Sequence, residues 1–219
     1  MRLFSSGARL PLKSLVLLCG LVTVLILTPL AVEAGGVGLF WRMLYLVIFC
    51  IGGYLLLEHR KWTLSYIALA IPTLFLGVIK ESSSMPGVID VISAILTATL
   101  QLLLILAVFR FALYDSTASK LDCVVAGICG YIILGIFWAD ICGTVSQYVP
   151  DGFWLPDGSL GQLPQNDTSL YYSFVTMTTL GYGDISPAQP WTRMLAIMQS
   201  LTGTLYLAVF ISSLVNSKR

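Results

Sequence analysis

The chain has 219 residues, 57% of them hydrophobic and 11% charged, with a formal net charge of +1. A soluble domain usually carries about a quarter charged residues, so this composition excludes one. The near-neutral balance also supplies no basic surface for nucleic acid, which leaves an integral membrane protein in contact with lipid.

Six apolar runs approach the roughly 20 residues that a spanning helix needs: Leu15–Val32, Val37–Leu57, Trp62–Val78, Val88–Leu113, Leu121–Val145 and Trp191–Val215. The first run has a second reading. Preceded by Arg and Lys and followed by Val32-Glu33-Ala34, it also resembles a signal peptide cleaved before Gly35, although its apolar core is long for one. Retention gives six spans, whereas cleavage gives five and moves the N-terminus outside. Loop charges orient the six-span chain, because Lys and Arg stay on the cytoplasmic side. Arg2, Arg9 and Lys13 precede the first run, His59, Arg60 and Lys61 follow the second, and Arg110 and Lys120 flank the link between the fourth and fifth. With Lys218 and Arg219 at the end, both termini are expected inside.

Charged residues within spans are functional suspects. Arg42 and Asp90 lie near the outer ends of their runs, where they are expected to snorkel. Asp140 lies deeper in the fifth run, where its expected partner is a hydroxyl of Tyr171 or Tyr172 or, equally, a water-filled crevice. Ala126, Gly127, Gly130 and Gly135 thin the surface of the fifth run for close helix packing.

Between the fifth and sixth runs lies the stretch Thr168 to Thr179, too short to cross a bilayer, with capping oxygens on Asp167, Thr168 and Ser169. It reads as a re-entrant helix, and Thr178-Thr179-Leu180-Gly181-Tyr182-Gly183-Asp184 follows at its end. Irregular backbone at this depth must be buried in protein or line a cavity. Gly181 and Gly183 lack a Cβ and adopt positive φ freely.

That motif resembles the selectivity filter of tetrameric potassium channels of prokaryotic type, whose four TVGYG loops replace the ion's water with carbonyl oxygens. Leu180 stands where Val is usual. The resemblance implies an all-α membrane fold with a peripheral unit at 1–120 and a pore unit at 121–219, assembled as a homotetramer. Carbonyls of Thr179, Leu180, Gly181 and Tyr182, with the Thr179 hydroxyl, would bind K⁺, and Gly183 would complete the filter. Thr178, Asp184 and Tyr172 would support it. Tyr171 and Tyr172 replace a Trp pair of voltage-gated relatives, and the Tyr172 hydroxyl is expected to reach Tyr182 or Asp184. Val175 stands where some relatives place a carboxylate.

Gly203 occupies the position of a hinge glycine, with a helix contact as the alternative. Thr204, Leu207, Ile211 and Val215 share one helix face. They would line the cavity and close it near Ile211 to Val215; the alternative is that they meet lipid or the outer helix. Asp151, Asp157 and Asp167 make the outer loop acidic. The fourth run carries Arg110 as its one basic residue, whereas voltage sensors move three or four charges per subunit. Little voltage dependence is expected.

Five cysteines form no CxxC pair, His59 is the one histidine, and no Walker or dinucleotide loop appears. No enzyme and no cofactor are expected beyond K⁺ as the permeating ion. A weakly selective cation channel and a non-conducting regulatory subunit remain the alternatives. An unidentified regulatory subunit also stands among the open stimuli. The expected location is the plasma membrane, in a prokaryote the inner one.

Overall fold

The computed structural model describes residues 12–33, 52, 66, 68–73, 75–76, 87–114, 118–163 and 167–216. Five helices organise them: α1 (Leu12–Glu33), α2 (Val88–Tyr114), α3 (Lys120–Tyr148), α4 (Asp167–Met177) and α5 (Pro190–Asn216). Within them Val88–Ala112, Lys120–Tyr148 and Pro190–Val215 are long and apolar enough to cross a membrane. The second sequence-predicted span, with Arg42, falls almost wholly outside the described residues, and the third is described only in part.

The hub is α3, which packs against α1, α2, α4 and α5. Its small residues explain why. A Cβ on Gly127 would collide with the Phe210 ring of α5, one on Gly130 with the Tyr206 hydroxyl, and one on Gly135 with the Phe174 ring of α4. The aromatic knobs therefore seat directly on the α3 backbone, and Tyr206 donates to the Gly127 carbonyl at 2.8 Å. Phe109 of α2 meets Tyr206 edge-on at 5.0 Å, which joins three helices in one seam. Dispersion over such close contacts holds helices together where lipid is as apolar as the side chains.

Helix ends fix the directions. Ser119 and Asp122 form a capping box at the start of α3. Ser14 of α1 donates to Asp122 Oδ1 at 3.0 Å, so α1 and α3 start at the same level. At the opposite end Tyr148 of α3 donates to the Gly87 carbonyl at 3.2 Å, so α2 starts where α3 finishes. Pro29, near the end of α1, lines a groove with Pro156, Tyr171 and Asp184 on that second side. The end of α1 and the start of α2 therefore lie at the same level. Leu17, Leu21 and Val24 of α1 are about as buried as any residue in the core, at 1% exposure.

Asp90 does not snorkel as expected. It is 5% exposed, and its Oδ2 accepts from the Gly87 N–H at 2.8 Å, satisfying a donor at the start of α2. Asp140 also differs from expectation. Its Oδ2 accepts from Gln101 Nε2 of α2 at 2.6 Å, because Asp140 projects from α3 towards α2 rather than towards α4.

Beyond α3 a small antiparallel sheet in the order β2-β1-β3 (Leu160–Gly161, Phe153–Trp154, Ser186–Pro187) ties the outer loop to the chain after the motif. Phe153 sits in its middle, opposite both Gly161 and Pro187. Phe153 is fully buried with Cys142, Leu163, Tyr172 and Ile185 in a second core. In the β1–β2 turn, the Ser159 hydroxyl and N–H bond Asp157 and hold its carboxyl below the usual range. It therefore stays charged at neutral pH.

Replacing Gly127 by Val should overpack the α3–α5 seam and destabilise the protein by about 1–3 kcal/mol. Adding Phe210→Ala should recover part of that loss. Thermal unfolding of the purified protein in detergent, run as a double-mutant cycle, checks the coupling.

Candidate functional site

Eleven residues make up α4, too few to span a bilayer. Its C-terminal end turns the chain back on itself: the Leu180 and Gly181 N–H groups both donate to the Val175 carbonyl, at 3.0 and 3.2 Å, and Thr179 N–H donates to Thr176 at 3.1 Å. The motif thus begins as a cap on its own helix.

From there the backbone alternates. Thr179, Gly181 and Gly183 have φ of 60°, 58° and 82°, while Leu180 and Tyr182 are not among the positive-φ residues. Alternating left- and right-handed residues turn successive carbonyls to the same side, and no regular helix or strand does this. The glycines were legible in the sequence, and Thr179 was not. A β-branched residue at positive φ is an outlier, and strain of this kind, of order 1–3 kcal/mol, persists only where surroundings impose it.

The surroundings are visible on both sides. Tyr171 donates to Asp184 Oδ2 at 2.6 Å, which closes the segment between the first turn of α4 and the residue after the motif. This corrects the expected role of Tyr172. One residue further round the helix, the Tyr172 ring is buried edge-on against Phe153 at 5.2 Å, and its hydroxyl has no hydrogen-bond partner among the described residues. Thr178 bonds back to the Phe174 carbonyl at 2.7 Å.

Behind α4 lies a polar set that the sequence reading missed. Gln199 of α5 is wholly buried and donates to the Ser173 carbonyl at 2.9 Å and hydroxyl at 2.7 Å. Ser173 in turn donates to the Gly135 carbonyl at 2.6 Å. One amide within an otherwise apolar run was the available signal, since buried polar groups need partners. Trp138 Nε1 adds a bond from α3 to Thr202 Oγ1 at 2.8 Å.

Two faces separate on α5. Thr192, Gln199, Gly203, Tyr206 and Phe210 are buried against α3, α4 and the loop, while Thr204, Leu207, Ile211 and Val215 are all exposed. The second face does not pack on the outer helix α3. A Cβ on Gly203 would lie 2.7 Å from the Met177 carbonyl, so this glycine is a contact point between α5 and the end of α4. Residues 178–184 are exposed in the single chain, with Leu180 and Tyr182 at 55% and 68%.

Residues 166–217, which contain α4, the motif and α5, match the family model described as "Ion channel". Over these residues the chain is similar to ion channels. A curated relative, Two-pore potassium channel 5 of Arabidopsis thaliana, is 46% identical over 48 residues, 22% of this chain and 12% of that protein. The chain thus matches only a small part of that relative's length. No solved structure gives a significant match. Ion channels are a non-enzyme class, in keeping with the absence of catalytic motifs from the sequence. In this segment alternating backbone, bonded to α4 at one end and through Asp184 to Tyr171 at the other, leaves carbonyl oxygens of an exposed stretch as candidate ligands.

Tyr171→Phe should remove the bond to Asp184 and lower the melting temperature modestly, as expected for one solvent-exposed hydrogen bond. Tyr172→Phe should be close to neutral. Parallel thermal melts of the two variants separate the roles of the neighbouring tyrosines.

Proposed function

We propose that the chain assembles as a homotetramer around an axis through residues 179–183 and conducts K⁺ passively through their carbonyls. The observation that carries this reading is the alternation of φ along Thr179-Leu180-Gly181-Tyr182-Gly183. Such a row replaces the hydration shell of an ion with uncharged oxygens. One chain supplies one side of the column, and the exposure of the motif leaves that side open for three copies. Thr179, Leu180, Gly181 and Tyr182 are the proposed ligands.

Electrostatics favour cations. Each α4 directs its C-terminal end, worth about half a negative charge, towards the space below the filter, so four sum to roughly two. Asp151, Asp157 and Asp167 add negative charge around the mouth, which raises local cation concentration. Below the filter, Thr204, Leu207, Ile211 and Val215 line the cavity in this reading, and an apolar ring at Ile211 and Val215 gates by dewetting. Potassium over sodium is the favoured selectivity because Tyr182 keeps the tyrosine of the filter motif.

Protein reconstituted in liposomes should pass K⁺ at least tenfold faster than Na⁺ and be blocked by barium. Equal fluxes would favour the weakly selective pore, and no flux the non-conducting subunit. The conductance–voltage relation should be shallow, since α2 carries Arg110 as its one basic residue and each charge crossing the full field supplies only about 2.3 kcal/mol per 100 mV. Planar-bilayer recording measures it directly.

A further inference from the structure

We propose that Gln199 is the positioning residue that locks α4, and through it the filter, in conducting register. The inference rests on the conduction reading and deepens it. Gln199 is wholly buried in the middle of α5, where an unpaired amide would be costly. Its Nε2 donates to the Ser173 carbonyl and hydroxyl, at 2.9 and 2.7 Å. Its Oε1 faces the Cys142 thiol at 3.7 Å. The Ser173 hydroxyl continues to the Gly135 carbonyl at 2.6 Å. One side chain therefore joins α3, α4 and α5.

The place of this junction gives it leverage on the filter. Ser173 lies two residues before Val175, whose carbonyl receives the Leu180 and Gly181 N–H groups. One helical turn after Gln199, Gly203 lets the α5 backbone approach the Met177 carbonyl. Positions i and i+4 of α5 thus set the middle and the end of α4, and the strained residue Thr179, φ 60°, follows two residues later. With Val175 in place of a carboxylate, no acidic group on α4 braces the filter from that position. The amide of α5 braces α4 from its far side instead.

Chemistry distinguishes this role from space filling. Gln199 supplies the Ser173 carbonyl and hydroxyl with a donor from α5, so Gln199→Met keeps the volume and removes that donor. Gln199→Glu places a carboxylate against that carbonyl until protonation restores an O–H donor. The titratable groups facing position 199 are Cys142 of α3 and, beside it, Tyr172 of α4. Neither ionises between about pH 5 and 7 at its ordinary pKa.

The test uses the full chain in liposomes with K⁺ and Na⁺ flux. Wild type should show a flat K⁺/Na⁺ flux ratio from about pH 5 to 7. Q199M should lower that ratio at least tenfold at every pH. Q199E should be low at pH 7 and recover towards wild type at pH 5, a profile that loss of packing alone does not produce. A wild-type ratio in Q199M, or a pH-independent Q199E, would overturn the proposal. Amide exchange of Leu180 and Gly181, expected to speed at least tenfold in Q199M, gives a readout independent of conduction. If wild type passes no ions, the conduction reading fails, and unchanged exchange would then separately refute the positioning role. Should Q199M not fold, the Q199E pH profile decides.

Discussion

A peptide carbonyl inside a bilayer must meet a hydrogen-bond donor, water or a cation, and residues 178–184 place a row of them where regular secondary structure has ended. That constraint organises the rest of the molecule. The N–H groups of Leu180 and Gly181 are taken by Val175, so the donors are used on the helix side. In the proposed pore the alternation of φ would turn the acceptors the other way. Left-handed geometry at Thr179 is sustained because both ends of the segment are held, by α4 on one side and by Tyr171 with the small sheet on the other.

The scaffold behind this segment is stiff for a definite reason. Glycines of α3 carry no side chains at the points where Phe210, Tyr206 and Phe174 arrive, so the helices touch backbone to ring with little slack. Aromatic rings bring large contact area with few rotatable bonds. The second core around Phe153 fixes the loop that returns from α3, and Ile185 joins it immediately after the motif. In the proposed filter, ligands that must hold an ion-sized spacing would be better supported by rigid elements than by loops.

Sequence made the helices and the motif legible because each has a strong local cause. Span length follows from bilayer thickness, and α1, α2, α3 and α5 lie within a few residues of the apolar runs that announced them. Positive φ at Gly181 and Gly183 follows from the missing Cβ. What escaped was decided by rotation about a helix axis. Tyr171 and Tyr172 are adjacent in sequence but about 100° apart on α4, and composition cannot say which one turns towards Asp184. The partner of Asp140 was misread for the same reason, since Gln101 comes from a helix whose rotation relative to α3 is a tertiary property. Thr179 took a conformation that its own side chain disfavours, an override by context rather than a local preference.

The split surface of α5 connects these points to assembly. One face carries polar side chains that are all used inward: Thr192 donates to the Gly152 carbonyl at 2.8 Å, Gln199 reaches Ser173 and Tyr206 reaches Gly127. The other face is apolar and bare, with Ile211 and Val215 at 57% and 82% exposure. Lipid alone would accept such a face. It would not accept the exposed backbone of 178–184, which continues from the same side of the chain and requires protein or water around it. The proposed tetramer would satisfy both demands at once, because its bare helices would enclose the space assigned to the ion. In that proposal the two surfaces act as one, with the filter setting the symmetry that the inner helices would follow.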